Sequence, residues 1–161
     1  MDELTFKEAV SRFATGVTVV GTMSEQGPIG MTVTAFSSLS LQPPLVLVCI
    51  DRGAYLHDQL YQSQNFSVNL LAHHQLEWGM RFAGQTDERP AERFEDIDYL
   101  TAESGAPILP GCLAWVDCTL HTTHDGGDHT IFVGHVLASG NSPEDVPLLY
   151  FDRRWAGLVV P

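Results

Sequence analysis

Basic side chains are scarce in this chain: 8 Lys and Arg stand against 20 Asp and Glu, for a net charge of −12. Nucleic acid and anionic membrane surfaces both need a basic footprint, so neither is an expected partner. No run approaches the ~20 apolar residues of a membrane-spanning helix. The start, "MDELTFKEAV", lacks the charged-then-apolar pattern of a secretory signal, which predicts a cytoplasmic protein. Cysteine is rare too, and Cys49, Cys112 and Cys118 form no C-x-x-C pair. If Cys112 and Cys118 share one strand, their α-carbons lie roughly 20 Å apart, outside disulfide reach. Free thiols in a reducing compartment are expected. The common nucleotide signatures are also missing. No G-x-G-x-x-G follows a strand, no G-x-x-x-x-G-K-[ST] occurs, and no G-x-S-x-G elbow is present.

The chain contains 161 residues with no repeat and no linker, so one domain over residues 1–161 is expected. "TFKEAVSRFATG" predicts an amphipathic helix, with Thr5 and Glu8 as a capping box and Gly16 as its end. Strands are predicted over residues 17–23, about 30–41, 44–50 and 65–71. Helices are predicted for "AYLHDQLYQS" and "HQLEWGMRFAG". "CLAWVDCTLHTT" and "HTIFVGHVLAS" flank the turn signal "HDGGD" and predict a hairpin. "VPLLYFDRRWAGLVV" adds one or two strands. The acidic run "DERPAERFEDID", residues 87–98, reads as a solvated loop or short helix. The sum is a mainly β chain with helical insertions, an antiparallel barrel whose alternating strands are covered on one face.

Four stretches carry chemistry. "GMTVTAFSSLSLQPP", residues 30–44, has five hydroxyls (Thr32, Thr34, Ser37, Ser38, Ser40) and no charge. Small side chains let a flat ring approach the backbone, and hydroxyls and N–H groups suit its acceptors. The plainer reading is that Thr favours strands and Ser faces water. "CIDRGAYLHDQL" runs from a strand end at Asp51-Arg52-Gly53 into a helix, which suits a phosphate. Taken alone, Arg52 reads more simply as an ordinary exposed Arg at a turn. Arg81 in "MRFAG" reads as a second phosphate ligand or as a surface helix residue. His129 opens a strand after a Gly-Gly turn, where it could donate to a substrate amide, act as an acid, or hold its own turn. His121, His124, His129 and His135 share the hairpin without tight ligand spacing, so no metal site is expected.

These segments resemble, in order, the short-chain flavin reductases that serve two-component flavin monooxygenases. "GMTVTAFSSLSLQPPLVLVCIDRGAYLHD", "FSVNLL", "RFAG", "GAPILPGCLAWVDC", "GGDHTIFVGHV" and "PLLYFDRRW" carry the resemblance, from about Phe6 to Trp155. The resemblance implies an FMN-binding split β-barrel, usually a homodimer with flavin near the subunit interface. It implies an NAD(P)H:flavin oxidoreductase that uses FMN or FAD, takes NADH or NADPH as reductant, and supplies reduced flavin to a partner monooxygenase. Flavin contacts would come from Met31, Thr32, Val33, Thr34, Ala35, Ser37 and Ser38. Asp51, Arg52, Gly53 and Ala54 would hold the phosphate, with Arg81, Phe82 and Ala83 closing the other side. Asp128 and His129 would meet the nicotinamide, and Tyr150 would lie near the flavin or the dimer contact. The chain departs from the pattern at Ala54-Tyr55, where the family often has a hydroxyl, and at Asp152-Arg153-Arg154, where it often has a glycine. Two other readings share the architecture: a non-enzymatic flavin- or haem-binding split barrel, and the pyridoxal-phosphate oxidase branch. The second would need a more basic phosphate site.

Overall fold

The computed structural model describes residues 2–142 and 145–159. The elements run α1 (Glu3–Ser11), β1 (Thr15–Gly16), β2 (Thr18–Ser24), β3 (Gly27–Val33), β4 (Phe36–Leu41) and β5 (Pro44–Asp51). Then come α2 (Tyr55–Ser63), β6 (Asn65–Leu70), a 3-10 turn (His73–Gln75), α3 (Leu76–Phe82) and a second 3-10 turn (Pro90–Glu92). The chain closes with β7 (Leu100–Thr101), β8 (Pro107–Ile108), β9 (Ala114–Gly126), β10 (His129–Asn141), β11 (Leu148–Phe151) and β12 (Arg154–Gly157). No helix among the described residues is long and apolar enough to cross a membrane.

Seven antiparallel strands form the main sheet in the order β3-β2-β6-β9-β10-β5-β4. Its two edge strands, β3 and β4, follow each other in the chain. The expected continuous strand over residues 30–41 is therefore two strands, a correction with a clear cause. Phe36 N–H donates to the Thr34 carbonyl at 3.0 Å, and the Ala35 carbonyl accepts from Cys49 N–H at 3.0 Å. Those bonds turn the chain from one edge to the other. No ladder joins β3 to β4 among the described residues, so the curled sheet is an open, split barrel.

Two apolar clusters lie on opposite faces of this sheet. Val20, Ile29, Val33, Val48, Ile50, Phe66 and Phe132 fill the inside, with Leu56 and Leu60 of α2. Val17, Val19, Leu71, Phe82, Phe94 and Leu148 fill the outside, beneath α3. The central strands β2 and β6 are accordingly buried on both faces, not on one as their alternation suggests. The acidic run is the cover. Its carboxylates at Asp87, Glu95 and Asp98 are exposed, but Arg93, Phe94 and Ile97 are buried. A fully solvated loop is thus the wrong picture of that segment.

The first helix begins earlier than its sequence pattern suggests. Asp2 is the N-cap, accepting from Thr5 N–H at 3.2 Å, so the Thr5–Glu8 box does not form. No α1 residue is buried, and Phe6, Val10 and the following Phe13 are exposed.

Candidate functional site

The end of the β5–β10 ladder gathers residues that are far apart in sequence. Asp51 pairs with His129, and Cys49 pairs with Ile131. Directly opposed residues of an antiparallel pair project to the same face. Ile50, Val48 and Phe132 belong to the inner core. Leu47, Cys49, Asp51, His129 and Ile131 therefore share the outer face. Ser37 of β4 pairs with Leu47 and extends the row.

Turn chemistry fixes this end. Asp51 Oδ1 accepts from Gly53 N–H at 2.6 Å, and Ala54 N–H donates to the Asp51 carbonyl at 3.0 Å. Arg52 N–H donates to the Asp128 carbonyl at 3.0 Å, which ties the β5 turn to the β9–β10 turn. The latter is just Gly127-Asp128, and Gly127 adopts φ +81°, where glycine carries no Cβ penalty. His129 Nδ1 lies 2.7 Å from Asp128 Oδ1. A carboxylate only accepts, so Nδ1 carries the proton, and Nε2 of the neutral ring has a free lone pair. The hydrogen bond from His129 holds the Asp128 carboxyl below its usual range. The Arg52 guanidinium is half-exposed and reaches Asp125 Oδ1 at 2.8 Å.

Helix α2 starts two residues after Gly53. Its N-cap, Ala54, offers no side-chain acceptor, so the first turn has no side-chain cap; His57 N–H donates to the Ala54 carbonyl at 3.0 Å. His57 bridges this turn to β10, with Nε2 at 2.9 Å from Thr130 Oγ1 and Nδ1 at 2.9 Å from Asp58.

A cavity of about 710 Å³ opens at the other end of the row. Thr34, Ala35, Phe36 and Ser37 form one wall with Leu47 and Cys49. Val10, Phe13, Leu71 and Leu148 line it as well. Burial raises the Cys49 thiol above its usual range. From Cys49 to Asp51 is about 6.6 Å along one strand face, which links the cavity to the Arg52 turn.

The structure sorts the sequence candidates. Thr34, Ala35 and Ser37 line the cavity. Ser38 is exposed on β4, and its carbonyl accepts from Ser37 Oγ at 2.9 Å. Met31 and Val33 face the inner core. The Thr32 hydroxyl donates to the Gly79 carbonyl at 2.8 Å, so it anchors α3 to β3. Asp51, Arg52, Gly53, Ala54, Asp128 and His129 come together at the ladder end. Arg81 sits in another charge group. It is buried and hydrogen-bonds Asp96, with Glu77 at 3.4 Å and Glu88 at 3.6 Å. The Asp96 bond raises Arg81 and lowers Asp96. Phe82 packs in the outer cluster, and Ala83 caps α3. Tyr150 stacks edge-on against Trp155 at 5.3 Å and lines a hollow of about 260 Å³ with Thr34, Val10 and Phe13.

Leu47, Cys49 and Asp125 were not among the sequence candidates. The alternation of "PLVLVCID" carries the signal for the first two, since residues 47, 49 and 51 share a parity. Among the described residues no group of His, Cys, Asp and Glu could hold a metal. All three cysteines are free; burial pushes Cys112 up to about 11 and Cys118 up to about 12. Both sit far above the reactive range.

Comparison with known proteins places the chain among flavin reductases. The reductase subunit HsaB of a flavin-dependent monooxygenase from Rhodococcus jostii is 35% identical over 98% of this chain and 79% of its own. The FMN reductase (NADH) SmoA of Agrobacterium fabrum is 39% identical over 90% of this chain and 80% of its own. The solved NADH:FAD oxidoreductase SgcE6 of Streptomyces globisporus, in complex with NAD and FAD fragments, superposes with a TM-score of 0.89 at 34% identity, covering 98% of this chain and 93% of that one. Residues 10–158 match the flavin reductase like domain, and the chain belongs to that family.

Proposed function

We propose that this protein is an NAD(P)H:flavin oxidoreductase that reduces FMN or FAD and hands the reduced flavin to a partner monooxygenase. The observation that carries the reading is the shared outer face of β4, β5 and β10. It runs from the cavity at Thr34–Ser37, past Cys49, to Asp51, Arg52 and His129.

The residues present fit a flavin. A 710 Å³ cavity is within the range of ligand sites, and its walls are mostly apolar with a few hydroxyls. The first turn of α2, which lacks a side-chain cap, and the half-exposed Arg52 suit a phosphate at the end of the row. When bound, the flavin supplies the electron-accepting ring, which takes hydride from the nicotinamide of NAD(P)H.

The protein's part is binding and alignment. The small residues Thr34, Ala35 and Ser37 let a ring lie against the backbone. Arg52 and the α2 N-terminus hold the phosphate. Asp128 fixes the proton on His129 Nδ1, which leaves Nε2 to accept from the nicotinamide amide N–H. A protonated ring would donate there instead. His129 thus positions the reductant, and no protein nucleophile is required. Met31, Val33 and Thr32 support this strand from the core and from α3.

The exposed apolar face of α1 and the half-buried row beside it support a homodimer with the site near its interface. Three free thiols support a cytoplasmic setting. An anaerobic assay tests the reading: NADH or NADPH oxidation followed with FMN, with FAD and with neither. Flavin-dependent oxidation is expected. A protein that binds flavin yet never accelerates its reduction would sink the enzyme reading.

A further inference from the structure

The Arg52 side chain already has an anion. Asp125 Oδ1 lies 2.8 Å from Arg52 Nη2, across 73 residues of sequence. The same oxygen accepts from Gly127 N–H at 2.9 Å inside the β9–β10 turn. Both side chains are well exposed, at 50% for Arg52 and 78% for Asp125.

We propose that Asp125 is a built-in competitor for the flavin phosphate: it pairs with Arg52 in the flavin-free protein and yields it when a phosphorylated flavin arrives. The inference rests on Arg52 being the phosphate ligand. The exchange is easy for both partners. Asp125 keeps Gly127 N–H and water after letting go, so no buried charge is stranded. Arg52 swaps one exposed carboxylate for a phosphate, which is a stronger, multidentate acceptor. Exposed ion pairs contribute little, so the competitor weakens the phosphate hold without abolishing it. The turn adds no side-chain hydroxyl, because its N-cap is Ala54, so the α2 N–H groups are the only other donors it offers. Asp51 spends its carboxylate on Gly53 N–H and adds negative charge nearby. The product is a flavin that binds and leaves readily, which suits a protein that must give its reduced flavin away.

Asp125→Asn is the direct test, because asparagine keeps the Oδ1 acceptor for Gly127 N–H and removes only the charge. FMN and riboflavin are titrated against wild type, Asp125→Asn, Arg52→Ala and the double variant, with thermal midpoints measured in parallel. Asp125→Asn should tighten FMN by about two- to fivefold, the scale of an exposed ion pair, and leave riboflavin unchanged. In the Arg52→Ala background the same change should have no effect on FMN. Weaker or unchanged FMN binding in Asp125→Asn would overturn the proposal, since Asp125 would then be supporting Arg52 or ignoring it. Equal tightening with and without Arg52 would also overturn it, because general charge would be acting. Arg52→Ala separates the two levels. It should weaken FMN by about tenfold or more and spare riboflavin. Equal losses for both flavins would remove the phosphate reading itself, and the competitor with it.

Discussion

Asp51 and His129 face each other across the β5–β10 ladder. One strand ends where the other begins. In the proposed reading, the turn after Asp51 would offer the phosphate donors, and the turn before His129 would offer the nicotinamide contact. Arg52 N–H bonds the Asp128 carbonyl at 3.0 Å, so the two turns are a single backbone unit. Flavin and reductant would therefore be registered by one rigid ladder end, not by two independent loops.

Replacing His129 with Ala should slow flavin reduction or raise the KM for NADH by roughly tenfold to a hundredfold, the scale of misaligned reactants. FMN affinity should hold, because Arg52 and the Thr34–Ser37 wall remain. Stopped-flow reduction under anaerobic conditions, beside a flavin titration, reads both. An unchanged reduction rate with a lower melting temperature would make His129 a turn-supporting residue only.

Asp128 is predicted to act through His129. Asp128→Asn removes the pure acceptor and lets either ring nitrogen carry the proton. The expected loss is about three- to tenfold in kcat/KM for NADH, near the strength of one hydrogen bond. It should appear mainly in KM. In a His129→Ala background Asp128→Asn should add nothing, whereas additive losses would give Asp128 an independent contact.

Arg81 is predicted to hold the structure together. Its buried guanidinium bonds Asp96 and faces Glu77 and Glu88. Arg81→Met should cost about 1–3 kcal/mol of stability, typical of hydrogen bonds to charged groups. The FMN-to-riboflavin affinity ratio should stay as in wild type; a selective loss of FMN would restore Arg81 as a phosphate ligand. The pH sign follows from Asp96, whose folded value lies below its ordinary 3.8 because of the Arg81 bond. That contribution is complete above the carboxylate range and fades as pH falls through the lowered value. The stability gap between wild type and Arg81→Met should thus be constant near neutrality and narrow in acid.

Much of this site is legible in the sequence, for physical reasons that differ by residue. His129 opens β10 because the glycine-rich "HDGGD" signals a reversal, which the structure confines to Gly127-Asp128, and two-residue turns with glycine fix strand ends. Arg52 stands out because a strand end meets a helix start. The Thr32 hydroxyl was not legible: whether it meets a ligand or the Gly79 carbonyl depends on α3, which packs 47 residues later in the chain. The break at Thr34–Ala35 was equally hidden, since its hydrogen bonds go to Cys49 and within the turn. Arg81 was ambiguous for the same reason. Its partners Glu88 and Asp96 lie in an acidic run that looks solvated until Phe94 and Ile97 bury beside them.

The final prediction concerns assembly. Phe6, Val10 and Phe13 sit on one side of α1 and its end, each at least half exposed, at 50%, 51% and 77%. A soluble monomer gains nothing from that arrangement, and the apolar face continues into the cavity wall. A two-fold partner would cover both α1 faces at once, as isologous contacts do. Wild type should therefore sediment at twice the 17.7 kDa chain mass at micromolar concentration. Val10→Glu with Phe13→Glu should give a monomer, because buried carboxylates would lack partners. Its far-ultraviolet spectrum should be retained, since no α1 residue is buried in the chain itself. Flavin affinity should fall together with the dimer, because Val10 and Phe13 line the same cavity as Thr34 and Cys49. A wild-type monomer that still binds flavin would place the whole site within one chain and leave the α1 face unexplained.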